Sequence, residues 1–387
     1  MCTLIPPFTP GSGKTLVGLR FAYETSIDGD TSKNHAVFLS GNGPLVKVLQ
    51  HALNDKIFVQ DVHGFLRQYG GSMTKTPSEH MWIYDEAQRA WDKDHVQEKR
   101  GAPISEPEDF LSIGERMDSW TFMIALIGEG QEIHLGEEAG IIQWNEAIAK
   151  MKESWTIHCP EKIKPVFSSA GSIKTNTFLD LSASLRSHIA EDVTTWIHSL
   201  LRGDLDTSHH LADKMYLQGF DGYVTRDIND AVSYVRARYR SELDKRFGFL
   251  ASSKAKNLPK HGIHNEYNYT QNLRVGPWYN DPSTSKYSCC ALRDVATEFA
   301  CQGLELDFPI VCWGDDLRWN GGSWRSPQTT SRAKAKDPHK LRLNSYRVLL
   351  SRGRDGFIVF VPDEANMTST YNALIQAGLR VLPVQST

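Results

Sequence analysis

Thr9-Pro10-Gly11-Ser12-Gly13-Lys14-Thr15, followed at 16–24 by LVGLRFAYE, joins a glycine-rich turn to a stretch of helical period. Such a turn lets backbone N–H groups point inward around phosphate oxygens at a helix N-terminus. In that pattern Gly11, Ser12 and Gly13 shape the cradle, Lys14 reaches the β/γ oxygens, and the Thr15 hydroxyl ligates Mg²⁺. The full pattern G-x-x-x-x-G-K-[ST] has glycine where this chain carries Phe8. The strand expected to lead into the loop is short and contains Pro6 and Pro7, which suit a central strand poorly. By itself the loop does not separate a nucleotide site from a chance Gly-Lys-Thr turn.

Two downstream stretches separate them. Met81-Trp82-Ile83-Tyr84-Asp85-Glu86-Ala87-Gln88 is an apolar strand that ends in adjacent carboxylates. At such a strand end Asp85 can hold the Mg²⁺ shell while Glu86 polarises an attacking water. Ile127-Gly128-Glu129-Gly130-Gln131 closes the apolar run Phe122–Ile127 with an amide. Gln131, both donor and acceptor, can sense a γ-phosphate or orient water.

Around these motifs, short apolar runs alternate with helical segments for nearly the whole chain, the pattern of an α/β protein with mostly parallel sheets. Strands are expected at Ala36–Leu39, Lys56–Val59, Met81–Tyr84, Phe122–Ile127 and Thr156–His158, with helices at Gly43–Leu53 and Glu106–Met117. A Pro-, Ser-, Gly- and Lys-rich stretch at 160–176 marks an inter-domain connection. A second series follows at Phe178–Leu181, Gly222–Thr225, Gly248–Ala251, Pro309–Trp313 and Phe357–Val361, with helices at Glu191–Leu201 and Asp227–Lys245. This predicts lobes at 1–165 and 166–387, the second interrupted by an irregular insertion at 315–341, long for a plain connection.

The three motifs in order, with VFLSGNGPLV, LSASLRSH, ATEFACQGLELDFPIVCWGDDLRW and LNSYRVLLSRGRDGFIVFVP, resemble a superfamily 1 helicase. More specifically, the chain is similar to the Schlafen group 3-like DNA/RNA helicase-domain family over nearly its whole length. The resemblance implies two RecA-like P-loop NTPase lobes closing on one ATP. It places Ser40 and Asn42 in a segment that touches single-stranded nucleic acid, and Gln302 near the same path. It sets Glu305 against the sugar of ATP, with Gly303 permitting close backbone approach. Arg186 and Arg352 end helicase motifs IV and VI; a guanidinium of this kind can stabilise charge on a transferring phosphoryl group. Arg354 reads instead as a surface salt bridge. Cys301 reads as a packing thiol, since no histidine partner lies near it in sequence.

With 387 residues, 40% hydrophobic and 23% charged, the chain is long enough for two cores. It has no apolar run near the roughly 18 residues a membrane span needs and no secretory pattern, so a cytoplasmic protein without a membrane partner is expected. Six cysteines without a C-x-x-C pair argue against a disulfide framework or a zinc site.

A net charge of −3 does not advertise a nucleic-acid binder, so clustering has to be sought. Arg325, Arg332, Lys334, Lys336, Lys340 and Arg342 stand against a single acid, Asp337, just after Trp319 and Trp324. Lys334 and Lys336 are the candidate backbone contacts and the tryptophans candidate stacking groups, though a solvated insertion has the same composition. Trp82, Trp91 and Trp313 read as core. Three functions remain open: an ATPase working on single-stranded DNA or RNA, a P-loop switch acting on a protein partner, and a nucleic-acid-binding module whose ATP site is impaired by the altered leading strand.

Overall fold

The computed structural model describes residues 2–4, 7–8, 14–27, 36–70, 74–128, 140–180, 188–327 and 337–383. The chain divides into two compact units, Met1–Val46 with Leu53–Arg186, and Lys47–Ala52 with Ser187–Thr387.

The first unit holds strands β1 (Cys2–Leu4), β2 (Pro7–Phe8), β3 (Ala36–Ser40), β4 (Val59–Asp61), β5 (Met81–Asp85), β6 (Phe122–Gly128), β7 (Thr156–Cys159) and β8 (Ser172–Thr175). They form one eight-stranded sheet in the order β4-β3-β5-β6-β1-β7-β8, with β2 beside β6. Every pairing is parallel. Interleaved along this part of the chain are helices α1 (Lys14–Ile27), α2 (Gly43–Leu53), α3 (Val62–Tyr69), α4 (Lys93–Arg100), α5 (Glu106–Glu115) and α6 (Ile142–Ile148). β3 is buried along its whole length and β5 at all but its first residue, as expected of strands covered on both faces. Ser105 and Glu108 cap α5 reciprocally, satisfying donors that the helix leaves open. On one face of the sheet Phe65, Trp82, Tyr84, Phe110 and Trp144 pack as a continuous aromatic core.

The leading strand is present despite its prolines. It runs as two short segments, β1 between β6 and β7, and β2 on β6 with Phe8 level with Gly128. Proline is tolerated where it begins a strand, as Pro7 does here. The stretch expected to connect the lobes instead carries a 3₁₀ turn and the edge strand β8, which continues the first sheet beside β7.

The second unit holds helices α7 (His188–Arg202), α8 (Leu205–Leu217), α9 (Ile228–Arg238), α10 (Tyr267–Thr270), α11 (Val275–Asn280), α12 (Pro338–Leu350) and α13 (Thr368–Gln376). Its strands are β9 (Asp221–Thr225), β10 (Phe249–Ala251), β11 (Val295–Thr297), β12 (Ile310–Cys312), β13 (Arg318–Asn320), β14 (Ser323–Arg325), β15 (Gly356–Phe360) and β16 (Arg380–Val381). A six-stranded parallel sheet has the order β11-β10-β12-β15-β9-β16.

Three expectations need correction here. Residues 177–179 form a 3₁₀ turn with Phe178 exposed, not a strand, because Asn176 Oδ1 accepts the Phe178 amide and turns the chain. The helix begun at Ile228 stops at Arg238 and does not reach Lys245. The insertion is not plainly irregular. β13 and β14 form a hairpin across Gly321-Gly322, both at positive φ, as a two-residue hairpin turn requires. Trp324 is buried there, its Nε1 donating to Leu200 O at 2.6 Å and its ring packed on Trp313. It is a core residue, not a stacking platform. Among the described residues no helix is long and apolar enough to cross a membrane.

Candidate nucleotide site

In a parallel sheet the loops leaving the C-terminal strand ends share one edge, and ligands bind there. In the first unit Ser40 is level with Asp85, and Asp85 with Leu126, so β3 and β5 end together and β6 runs two residues further. β6 also lies between β5 and the leading strand β1, bringing the start of α1 toward the same edge.

Gly18 fixes how closely α1 lies on the sheet. A Cβ at that position would fall 2.6 Å from Leu126 Cδ1 and close to Ile83 and Phe38, one residue from each of β6, β5 and β3. A side chain at this position would have to displace these three core side chains or lift the helix from the sheet. Thr15, about one turn earlier, is thereby held at the strand ends. Its Oγ1 donates to Asp85 Oδ2 at 3.1 Å, and Asp85 is almost wholly buried. A hydroxyl and a carboxylate facing each other form an all-oxygen donor pair, the set that hard divalent cations prefer, and so fit Mg²⁺.

Glu86 follows in the left-handed region, φ 59°, ψ 41°. For a residue with a Cβ this costs about 1–2 kcal/mol, and such strain collects at functional sites. The turn diverts the chain into a 3₁₀ segment and leaves the Glu86 carboxylate accepting from Gln88 Nε2 at 2.7 Å, with Arg89 Nε at 3.6 Å. Gln88 and Arg89 carry no signal of their own in sequence, although they lie only two and three positions beyond Glu86.

Of the expected nucleic-acid residues, Ser40 is fully buried, its Oγ accepting the Asn42 amide at 3.2 Å. Burial leaves its side chain a local structural role. Asn42 is half-buried and caps α2 through Leu45 N. Beside this loop lies a group that sequence reading missed. His63 Nδ1 is 2.8 Å from Oε1 of the buried Glu106, whose Oε2 accepts the Trp91 amide at 2.9 Å. Trp91, expected in the core, is half-buried and stacks on His63 with centroids 3.8 Å apart. A buried carboxylate needs such partners, but sequence carries no sign that residues 63, 91 and 106 meet.

In the second unit the turns at 301–306 and 351–354 are joined. Leu306 N donates to Arg352 O, and Arg354 N to Leu306 O. Arg352 is half-buried; its Nε donates to Val348 O at 2.8 Å, Nη1 to Leu304 O at 3.3 Å, and Nη2 to Ser351 Oγ at 2.7 Å. Gly303 has φ 75°, which explains glycine there. Arg354 Nε meets Glu305 Oε2 at 3.1 Å in a partly exposed salt bridge. Burial pushes the Cys301 thiol up to about 12, so it is a packing group and not a thiolate nucleophile. Gln302 is half-buried on the same turn.

The C-terminal edge of the second sheet carries a closed polar network. Asp316, following β12, accepts Ser252 Oγ at 2.6 Å and Tyr346 OH at 2.7 Å, and pairs with Arg342 Nε at 3.0 Å. Burial raises its pKa even so, against the pull of Arg342, Ser252 and Tyr346. Arg342, part of the basic run in sequence, is therefore the half-buried ion-pair partner of a buried carboxylate. Gly11, Ser12, Gly13, Gln131, Arg186, Lys334 and Lys336 lie outside the described residues, as does the side chain of Lys14, whose backbone opens α1.

The family model for the Schlafen group 3, DNA/RNA helicase domain matches residues 9–363. No curated protein matches the chain.

Proposed function

We propose, from the premise that this chain belongs to the Schlafen group 3, DNA/RNA helicase domain family, that it hydrolyses ATP and couples hydrolysis to binding of, or translocation on, single-stranded DNA or RNA. The observation that carries this reading is the Thr15–Asp85 hydrogen bond. It joins two oxygen donors 70 positions apart that sequence assigns to one metal ion.

In this reading backbone amides of Gly11, Ser12 and Gly13 and the N-terminus of α1 receive the phosphates, and Lys14 neutralises the β/γ oxygens. Thr15 and Asp85 would hold a Mg²⁺ ion, which supplies charge neutralisation on the phosphate oxygens. Glu86, turned out of the strand direction by its left-handed backbone, accepts a proton from the attacking water. Gln131 orients that water. Arg352 and Arg186 are the guanidinium groups assigned to the charge that develops on the transferring phosphoryl group. Glu305 and Gly303 belong to the nucleotide's surroundings, and Asn42, Gln302, Lys334 and Lys336 to the polynucleotide's.

The test is steady-state ATP hydrolysis with and without oligo-dT and oligo-U. Stimulation by at least one polymer is expected, with Lys14→Ala lowering the rate by about a hundredfold or more. A rate that Lys14→Ala leaves intact would overturn the reading.

A further inference from the structure

Three loops at the C-terminal ends of β10 and β11 present large side chains that the hydrophobic core does not use. Tyr267 is 80% exposed, Tyr269 54% and Phe299 55%. Lys254 and Lys256 are exposed on the loop after β10. Isolated exposed aromatics are ordinary, but these loops are tied into one body by buried polar groups. Asn265, almost wholly buried, donates through Nδ2 to Ser252 O at 2.7 Å and to Ala255 O at 2.8 Å, binding the tyrosine loop to the lysine loop. Glu298, also buried, accepts Ser253 N at 2.8 Å and Ser253 Oγ at 2.9 Å, binding the Phe299 loop to the same lysine loop. α10, which carries both tyrosines, packs beside β11, which leads into Phe299. Lys256 N is anchored on Asp315 Oδ1 at 2.8 Å.

We infer that these loops form a base-stacking track for a single-stranded polynucleotide, with bases on Tyr267, Tyr269 and Phe299 and phosphates on Lys254 and Lys256. The chemistry selects this occupant. Exposed aromatics on mutually tied loops beside exposed ammonium groups suit alternating planar bases and phosphates, whereas an apolar protein surface would leave both lysines without a counter-charge. Tyr269 is already stacked by His264, with centroids 4.6 Å apart and planes 21° apart, which holds the ring as a platform. Of the acids on these loops, Glu298 is held by Ser253, and Glu266 Oε2 lies 3.8 Å from His264 Nδ1. The inference rests on the polynucleotide part of the proposed function and names the residues that perform it.

Fluorescence anisotropy of labelled oligo-dT and oligo-U, titrated with the full chain in the absence of nucleotide, tests it. Tyr267→Ala/Tyr269→Ala is expected to weaken binding by about tenfold or more, and Phe299→Ala by about fivefold or more. Tyr267→Phe/Tyr269→Phe should bind as the wild type does, because stacking needs the ring and not the hydroxyl. Lys254→Gln/Lys256→Gln should reduce the slope of log affinity against log salt by about 1.4. The preferred polymer distinguishes DNA from RNA as the source of the strand. Wild-type affinity in the alanine variants, equal losses in the phenylalanine and alanine variants, or no binding by the wild type would each overturn the inference. Because no nucleotide is present, failure of the ATP reading leaves these outcomes unchanged.

Discussion

Asp85 and Asp316 are two buried carboxylates at the C-terminal edges of two parallel sheets, and they are met by different chemistry. Asp85 receives a hydroxyl carried by the first turn of α1, whereas Asp316 receives a guanidinium, a phenol and a hydroxyl. In the proposed reading the carboxylate beside the Thr15 hydroxyl shares a cation that binds later. One facing arginine has its charge offset inside the fold. Position at the sheet edge alone therefore does not assign a carboxylate its task; the groups brought to it have to be read as well.

This contrast can be broken most forcefully at Arg342. Arg342→Ala strands a buried carboxylate and should cost about 3–5 kcal/mol of unfolding free energy, read from urea denaturation. A loss below about 1 kcal/mol would mean that Asp316 is not held as a buried pair. The corresponding change on the other side, Thr15→Val, removes one hydroxyl donor and should cost less, about 1.5–3 kcal/mol. If the proposed site binds Mg-ATP, the wild type should show a rise in melting temperature by mass action, and Thr15→Val should abolish it. Equal destabilisation by the two variants would erase the distinction.

A third carboxylate sharpens the comparison with a smaller effect. Burial raises Asp355, but hydrogen bonds from Lys245 and Tyr239 and the charges of Lys245 and Arg238 outweigh it and leave it below the usual carboxylate range. Its stabilisation is therefore present above the unfolded-state pKa of about 4 and lost as pH falls through the lower folded-state value. Asp355→Asn should flatten the acid limb of a stability-versus-pH curve, with wild type and variant converging at the lowest pH. Curves that stay parallel throughout would remove Asp355 from this account.

Much of this was legible in the sequence, and the boundary follows from physical causes. MWIYDE could be read because an apolar strand ending in acids is a local pattern, and β3, β5, β6 and α2 lie close to where their own residues put them. Gly18 carries no such local signal, because a glycine within a helical stretch looks like a weakness until the helix is laid on its sheet. Trp324 and Arg342 appeared to belong to a basic, aromatic surface because composition does not tell which way a side chain faces. The hairpin at 321–322 carried its own signal, two glycines between matched Arg/Trp segments, yet its long surroundings obscured it. The His63–Trp91–Glu106 group had no local signal at all, since folding alone brings those positions together.

The left-handed backbone at Glu86 has a bearing on engineering. A campaign that ranked variants by melting temperature alone would favour Glu86→Gly, which relieves about 1 kcal/mol of conformational strain. It would thereby discard the carboxylate to which the proposed function assigns proton transfer, so the ranking should be paired with an ATP-hydrolysis assay.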